Sequence, residues 1–249
     1  MKVRLTDKQW QKILSFLKTC LNIYVGHETD CRNFLEAVLW IARSGAQWRL
    51  LPHHYGHWNT IYKRFARWSQ HDVFEKLFIF CAATTELKSL LIDSTIVRAH
   101  ACSAGARKKH GHQALGRSRG GFSTKIHLTT DDSGTALRII LTAGERDDST
   151  QAENLVDGFE FESLLGDKAY DSDKFLQPLV EKGVKIVVPT RINRKIQREI
   201  DRLMYRERNW IERFIGKLKQ YRRIFSRFDK LAKNYLSFIH LVSALIRLK

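Results

Sequence analysis

The sequence predicts an α/β protein in two parts: an all-helical region over residues 1–85, then a mixed sheet flanked by helices over residues 86–249. Three observations predict it. Apolar residues recur at helical spacing up to about residue 88 and then switch to β-branched and alternating runs. The chain of 249 residues is 43% hydrophobic, enough for the core of one large domain or two modest ones. Only three prolines interrupt it, so most of the backbone is free to take regular structure.

In the first part, Thr6 or Asp7 can cap a helix that carries Trp10, Ile13, Leu14 and Leu17 on one face. Phe34, Val38, Leu39, Ile41 and Ala42 repeat at helical spacing, and Ser44-Gly45 ends that run. After a short Trp48–Pro52 stretch, Trp58, Ile61, Tyr62, Phe65 and Trp68 make a third amphipathic helix with Lys63, Arg64 and Arg67 on its polar side. Helix, short turn and basic helix fit a helix-turn-helix reader of DNA; a plain helical bundle or dimerisation element fits as well. Trp40, Trp48, Trp58 and Trp68 are read as core rather than as stacking platforms.

In the second part, Ser89–Ile96, Thr124–Thr130 and Ala136–Thr142 read as strands, the last two joined by the turn Asp131-Asp132-Ser133-Gly134. Phe161–Leu165 is a short apolar strand. A helix follows from Ser172 to Lys182 and stops at Gly183, and Lys185–Pro189 is another strand. A long basic helix is expected from Asp201 to Arg223, and an apolar one from Asn234 to Leu248.

The net charge of +17 calls for a polyanionic partner. Residues 94–130 hold seven basic side chains and no acid, residues 131–189 thirteen acids against six bases, and residues 190–249 seventeen bases against five acids. Basic flanks around an acidic middle suit a site where phosphates approach grouped carboxylates. Cys20, Cys31, Cys81 and Cys102 form no C-x-x-C pair and read as reduced thiols of a cytoplasmic protein, not as a disulfide frame or zinc site. The start, Met1-Lys2-Val3-Arg4, lacks an apolar leader, and the apolar stretch Tyr235 to Leu248 is too short to span a bilayer, so no membrane partner is expected.

Three acids carry the chemistry. Asp93 ends the run Leu90-Leu91-Ile92, Asp167 follows Leu164-Leu165-Gly166, and Glu212 lies in Tyr205-x2-Arg208-x3-Glu212-x6-Lys219. An acid after an apolar strand emerges at the strand's end, beside the core. Two such acids and one from a helix can converge on hard divalent ions such as Mg²⁺ or Mn²⁺, which take carboxylate oxygens. Two ions roughly 3.5–4 Å apart can activate an oxygen nucleophile and stabilise a leaving oxygen in phosphoryl transfer. Asp93 is the expected bridge between them, with Asp167 and Glu212 each favouring one ion. On a regular helix Tyr205, Arg208, Glu212 and Lys219 fall within an arc of about 60°, while Ile211, Phe214, Ile215 and Leu218 take another. Arg208 and Lys219 can hold phosphates and Tyr205 can hydrogen-bond one; taken alone, the stripe reads rather as an exposed helix with Glu–Arg pairs, because charge stripes are common.

Other features are set aside. Asp147-Asp148 reads as a solvated loop, Asp171 and Asp173 as caps of the helix that follows, and His100, His110 and His112 as ordinary loop histidines. Gly116–Gly121, with Arg117 and Arg119, lacks the Walker spacing; it is expected to lead flexibly into the next strand and to touch DNA backbone.

The spacing Y-x2-R-x3-E-x6-K resembles the signature of DDE transposases of the insertion sequence 4 and 5 groups. Leu5-Thr6-Asp7-x-x-Trp10, Gly45-Ala46-x-Trp48-Arg49-x-Leu51-Pro52, Ile92-Asp93-Ser94-Thr95, Gly116-x-x-x-Gly120-Gly121 and Gly166-Asp167-Lys168-Ala169-Tyr170-Asp171 resemble the insertion sequence 5 family, in family order over nearly the whole chain. The resemblance implies an RNase H-like catalytic core behind a helical N-terminal region, two Mg²⁺ (or Mn²⁺) ions, and double-stranded DNA as substrate. It places Asp93, Asp167 and Glu212 on the catalytic and metal-binding positions and Tyr205, Arg208 and Lys219 on the DNA-contacting signature. It implies a transposase that binds terminal inverted repeats and cleaves and joins DNA, as a homodimer in the bacterial cytoplasm. Sequence-specific contact is expected from Lys63, Arg64 and Arg67. One departure stands out: the family pattern expects a His near position 147, where this chain has Arg146-Asp147. Two other readings stay open on the same residues: an RNase H-like nuclease that cuts without joining, and a catalytically inactive DNA-binding regulator.

Overall fold

The computed structural model describes residues 4–20, 23–82, 87–106, 111–118 and 120–248. His110, Arg119 and the expected boundary between residues 85 and 86 lie outside them. In chain order the helices are α1 (Asp7–Thr19), α2 (Glu28–Ser44), α3 (Trp58–Gln70), α4 (Val73–Ala82), α5 (Ala152–Val156), α6 (Asp173–Glu181), α7 (Arg202–Tyr205), α8 (Asn209–Lys219), α9 (Arg222–Phe225) and α10 (Ala232–Arg247). The strands used below are β1 (Ser89–Ala99), β2 (Gly116–Ser118), β3 (Gly121–Asp131), β4 (Ala136–Ala143), β5 (Ser163–Leu165) and β6 (Lys185–Val187). The chain divides into two compact units: Met1–Ala83 with Ala99–Gln113 and Lys217–Lys249, and Thr84–Arg98 with Ala114–Gly216. The helices of the C-terminal segment therefore complete the unit that the first residues begin.

In that helical unit, α1 starts in a reciprocal cap. The N–H of Gln9 donates to Thr6 Oγ1 at 3.2 Å and the N–H of Thr6 donates to Gln9 Oε1 at 3.0 Å, which satisfies two donors a helix start leaves open. α2 ends at Gly45 in the left-handed conformation, with φ of 69°. A Cβ at Gly45 would stand 2.9 Å from the Cβ of Arg222, so the position requires glycine for both backbone and space. The connection from α2 to α3 contains two 3-10 turns, Trp48–Leu50 and His53–Tyr55. This differs from the short turn of a helix-turn-helix; the tight connection is His71-Asp72, between α3 and α4. The core gathers Phe34, Phe65, Trp68 and Phe74 with Phe238 of α10, all buried.

The second unit is built on β1. It pairs antiparallel with β3, Asp93 opposite Leu128, and parallel with β5, Leu91 opposite Leu165. β4 lies antiparallel along the far side of β3, and β6 continues the sheet parallel to β5. The order β4-β3-β1-β5-β6, three antiparallel strands and then two parallel ones, is the RNase H-like arrangement. Leu90, Leu91 and Ile92 are all fully buried, so β1 does not alternate; it is covered on both faces. One face packs Leu90, Ile92 and Leu164 against Leu155, Tyr170, Phe175 and Leu176. The turn after β3 closes as expected: Asp131 Oδ1 accepts the N–H groups of Ser133 (2.9 Å) and Thr135 (2.7 Å), and Gly134 has φ of 77°.

Two expectations are corrected. The long helix from Asp201 to Arg223 is instead α7, a 3-10 turn over Arg206–Arg208, and α8, after which Tyr221 turns extended (ψ 107°) and α9 begins. Gly116–Ser118 is not a flexible lead but a strand, β2, paired with the start of β3, where Gly121 has a φ of 96°.

Gly45→Ala should lower the thermal midpoint, because the left-handed backbone alone costs about 1–2 kcal/mol for an L side chain and the new methyl meets Arg222. A melt of the variant beside the parent, by circular dichroism, checks this; an unchanged midpoint would mean that α2 can end otherwise.

Candidate active site

Asp93 and Asp167 owe their places to one register. Leu91 and Leu165 are partners on the parallel strands β1 and β5, and each acid lies two residues further on, so both emerge at the same edge. Gly166 permits the close packing: a Cβ there would lie 3.2 Å from Ile92 Cγ1 and 3.3 Å from the Tyr170 ring. Asp167 Oδ1 accepts the N–H of Ala169 at 2.6 Å and so starts the 3-10 turn Lys168–Tyr170. Asp93 Oδ1 accepts the N–H of Ser94 at 2.8 Å.

The third acid arrives on α8. The 3-10 turn before it matters, because residues three apart eclipse in that geometry. Tyr205 and Arg208 are thereby stacked in line. Arg208 Nη1 donates to the Tyr205 hydroxyl at 2.9 Å, and its guanidinium lies 5.4 Å from the ring centre. So braced, Arg208 Nη2 donates to Asp93 Oδ2 at 3.3 Å and stands 3.6 Å from Glu212 Oε1. Asp93 and Arg208 keep only 16% and 12% of their side-chain exposure, whereas Glu212 keeps 56%. Burial pushes the Asp93 carboxyl above its ordinary pKa; Arg208 opposes the shift, and the negative charges of Asp167 and Glu212 add to it.

The three predicted carboxylates are therefore electrostatic neighbours, with Arg208 set between Asp93 and Glu212. Among the described residues no three acidic, histidine or cysteine side chains form a finished metal cage. The donor type fits hard divalent ions nonetheless: carboxylate oxygens are their ligands, and a bound cation would offset the negative charge that Asp167 and Glu212 add at the buried Asp93. Tyr205, Arg208 and Glu212 come together. Lys219 closes α8 and is grouped with the helical unit.

Of the helical-region residues, Lys63 and Arg67 on α3 are exposed. Arg64 is not on their side. It turns inward, donates to the Val25 carbonyl at 3.0 Å and packs 4.5 Å from the Phe34 ring centre and 5.1 Å from that of Trp68. Its aliphatic stem and planar head suit such a half-buried place. Trp68 is core as expected, whereas Trp58 is half-exposed.

Two clusters went unread in the sequence. Asp171 is no helix cap: its side chain is fully buried and accepts the N–H of Arg191 (2.8 Å) and Nε of Arg194 (2.7 Å), with Arg198 at 3.5 Å. It pins a basic strap, and Asp173 joins it by pairing with Arg194 at 2.6 Å. Asp148 is no solvated loop residue either. It pairs with Lys125 at 2.7 Å, near His127, whose Nε2 is 2.8 Å from Thr142 Oγ1 and whose pKa burial pushes down to about 4. The run Arg191-x2-Arg194-x3-Arg198 was the one available hint, since clustered cations near a core call for a buried anion. For Asp148 there was none, because its partner Lys125 lies far off in sequence, on β3.

Comparison with known proteins identifies the family. Residues 85–247 match the family described as "Transposase DDE domain", and residues 5–78 match "Putative transposase of IS4/5 family". The chain belongs to the transposase DDE domain family and is a DNA transposase. It is 36% identical over 131 residues to the "Putative transposase for insertion sequence element IS6501" of Brucella ovis, covering 51% of this chain and 100% of that one. It is 30% identical over 152 residues to the "Putative transposase for insertion sequence element IS402" of Burkholderia cepacia, covering 56% and 69%. An uncharacterized protein of Sinorhizobium fredii is 41% identical over 107 residues, covering 43% and 86%. Among solved structures, the piggyBac transposase synaptic complex with hairpin DNA aligns over 78% of this chain and 50% of its own, at 12% identity and a TM-score of 0.44.

Because the charged form of Asp93 is disfavoured in the fold, Asp93→Asn should stabilise the chain at neutral pH when EDTA is present. The sign follows from the raised pKa: the cost exists while Asp93 is ionised and vanishes as pH falls through its raised value and the parent protonates too. Thermal melts across pH 7 to 4 should show the variant's advantage shrinking in acid. A variant less stable than the parent at pH 7 would mean that the Arg208 pairing outweighs burial.

Proposed function

We propose that the chain cuts DNA at the terminal inverted repeats of an insertion sequence and joins the freed ends to target DNA, with Mg²⁺ or Mn²⁺ held by Asp93, Asp167 and Glu212. The observation that supports this reading is that Asp93 and Asp167 follow one parallel register of an RNase H-like sheet, while a braced Arg208 links Asp93 to Glu212. When bound, two such ions supply charge stabilisation to both the attacking and the leaving oxygen of a phosphodiester. Water attacks the phosphorus at the element end, releasing a 3′-hydroxyl and leaving the 5′-phosphate on the flank. That hydroxyl then attacks a target phosphodiester; one P–O bond forms as one breaks, so no nucleotide triphosphate is needed. Arg208 exchanges the carboxylates for a phosphate oxygen of the bound strand, steered by Tyr205, and Lys219 holds a second phosphate. Joining two ends calls for two protomers, so the working form is a homodimer on DNA. No helix among the described residues is long and apolar enough to cross a membrane, and the bacterial cytoplasm, where DNA lies, is the place of action.

Asp93→Asn, Asp167→Asn and Glu212→Gln should each reduce Mg²⁺-dependent cleavage of an element-end duplex on the order of 10²-fold or more, while duplex binding stays near the parent's. Gel analysis of nicked and joined products reads both steps. Near-normal cleavage by two of the three variants would defeat the assignment; cleavage without joined product would leave a nuclease.

End recognition is placed in residues 1–85, on α3. Arg67→Ala, and likewise Lys63→Ala, should reduce the preference for terminal-repeat DNA by about 1–3 kcal/mol if it makes a bidentate base contact. Arg64→Ala should instead lower stability, since a buried hydrogen bond from a charged donor contributes about 1.5–3 kcal/mol. Footprinting and melting curves on the three variants separate these outcomes; lost preference with intact stability for Arg64→Ala would reverse the division.

A further inference from the structure

The unit built on the sheet carries two features that the site above does not use, and both border its outermost strand, β6. Ahead of β6 lies a groove of about 500 Å³ between the end of α5 and α6. Phe159, Phe161, Pro178 and Leu179 give it an apolar lining. Glu153, Asp157 and Glu160, all exposed, stand among them, with Lys174 and Lys182 as the cations. Lys174 lies 3.8 Å from Glu153, whereas Asp157 and Glu160 form no side-chain ion pair among the described residues.

After β6 the chain enters the basic strap, residues 190–200, which holds four cations and one acid. Its arginines are tied down. Besides their bonds to the buried Asp171, the Arg191 guanidinium donates to the carbonyls of Lys168 (3.3 Å) and Ala169 (2.9 Å), and Arg198 Nη1 donates to that of Val188 (2.8 Å). So held, the strap turns two isoleucines to solvent: Ile192 is 93% exposed and Ile196 84%. Lys195, between them, is exposed too and forms no ion pair among the described residues. A single exposed isoleucine is ordinary. Two on a pinned segment, with an unmatched cation between them, make a preordered surface that is both apolar and positive.

We infer that the strap of one copy docks in the groove of a second copy of this chain. The two surfaces complement each other: Ile192 and Ile196 enter the apolar lining, and Lys195 meets the unmatched Asp157 and Glu160. The same acids repel a phosphate backbone, so the groove suits protein and not DNA. Groove and strap lie at opposite ends of β6, one before it and one after it. Two copies set antiparallel along β6 therefore each give a strap and receive one, and a twofold contact of this kind closes at two. A strap already held by its arginines loses little freedom on docking. The inference rests on the homodimer of the functional reading for its role, and it names the surface through which two protomers associate.

Sedimentation equilibrium of the full chain, without DNA, tests this. The parent should show a monomer–dimer equilibrium and no larger species. Ile192→Ser combined with Ile196→Ser should weaken association about 10-fold or more, with an unchanged melt, since both side chains are at the surface. Lys195→Glu alone and Glu160→Lys alone should each weaken it several-fold. The chain carrying both should regain most of the parent's association, because opposite charges face each other again. A parent that stays monomeric, association indifferent to the isoleucine changes, or no recovery in the double charge variant overturns the proposal. An isoleucine variant that associates as the parent does but binds duplex more weakly also overturns it, and assigns the strap to DNA. Duplex binding and Mg²⁺-dependent cleavage are read on the same samples. A parent that binds and cleaves but fails the association tests loses this inference alone. A parent that associates as expected yet neither binds nor cleaves DNA keeps the docking surface and loses the functional reading.

Discussion

Parallel pairing of β1 with β5 sets Asp93 and Asp167 two residues beyond partnered leucines, and burial, with nearby negative charge added, pushes the Asp93 carboxyl above its ordinary range. The rest of the site answers that constraint. Arg208 supplies the nearest positive charge, and it reaches Asp93 because a 3-10 turn lines it up on Tyr205. Had α7 run into α8 without that turn, the two side chains would have been offset rather than eclipsed. The spacing of the signature is thus a statement about local backbone geometry as much as about which side chains are present. Behind the acids, a strand buried on both faces and a glycine at 166 keep the backbone from relaxing the crowding away.

The basic character of the chain is also less simple than its total. Arg223 and Arg227 are buried, the first paired with Asp229 and the second donating to backbone carbonyls of Gln113 and Asp229. Arg64 faces the aromatic core, and Arg191, Arg194 and Arg198 converge on Asp171. A buried pair of this kind is weak evidence for stability, since desolvation offsets much of the attraction, yet removing one partner strands a charge. Several arginines that looked available for phosphate are holding the fold. The exposed positive charge is smaller than the charge count suggests, and on α3 it consists of Lys63 and Arg67.

What could be read in advance followed from short-range rules. The cap at Thr6, the stop at Gly45, the turn at Asp131–Gly134 and the strands around Asp93 each depend on residues within a few positions of one another. Asp167 follows its apolar strand as the spacing suggested, whereas Asp93 lies within β1, which runs on to Ala99. Asp171 and Asp148 were misread because their partners are distant in sequence, Arg191 to Arg198 in one case and Lys125 in the other. A single long helix was expected between Asp201 and Arg223 because residue spacing cannot distinguish an α-turn from a 3-10 turn.

The sequence by itself determined most element types, the order of the strands' apolar runs and the resemblance to a transposase family, because periodicity and local spacing are properties of neighbouring residues. Only the tertiary structure decided that C-terminal helices complete the N-terminal helical unit, that Arg64 faces inward while Arg67 does not, and that Arg208 stands between Asp93 and Glu212. Those outcomes depend on which distant surfaces exclude water together and which buried charges must find partners. A one-dimensional pattern carries neither quantity.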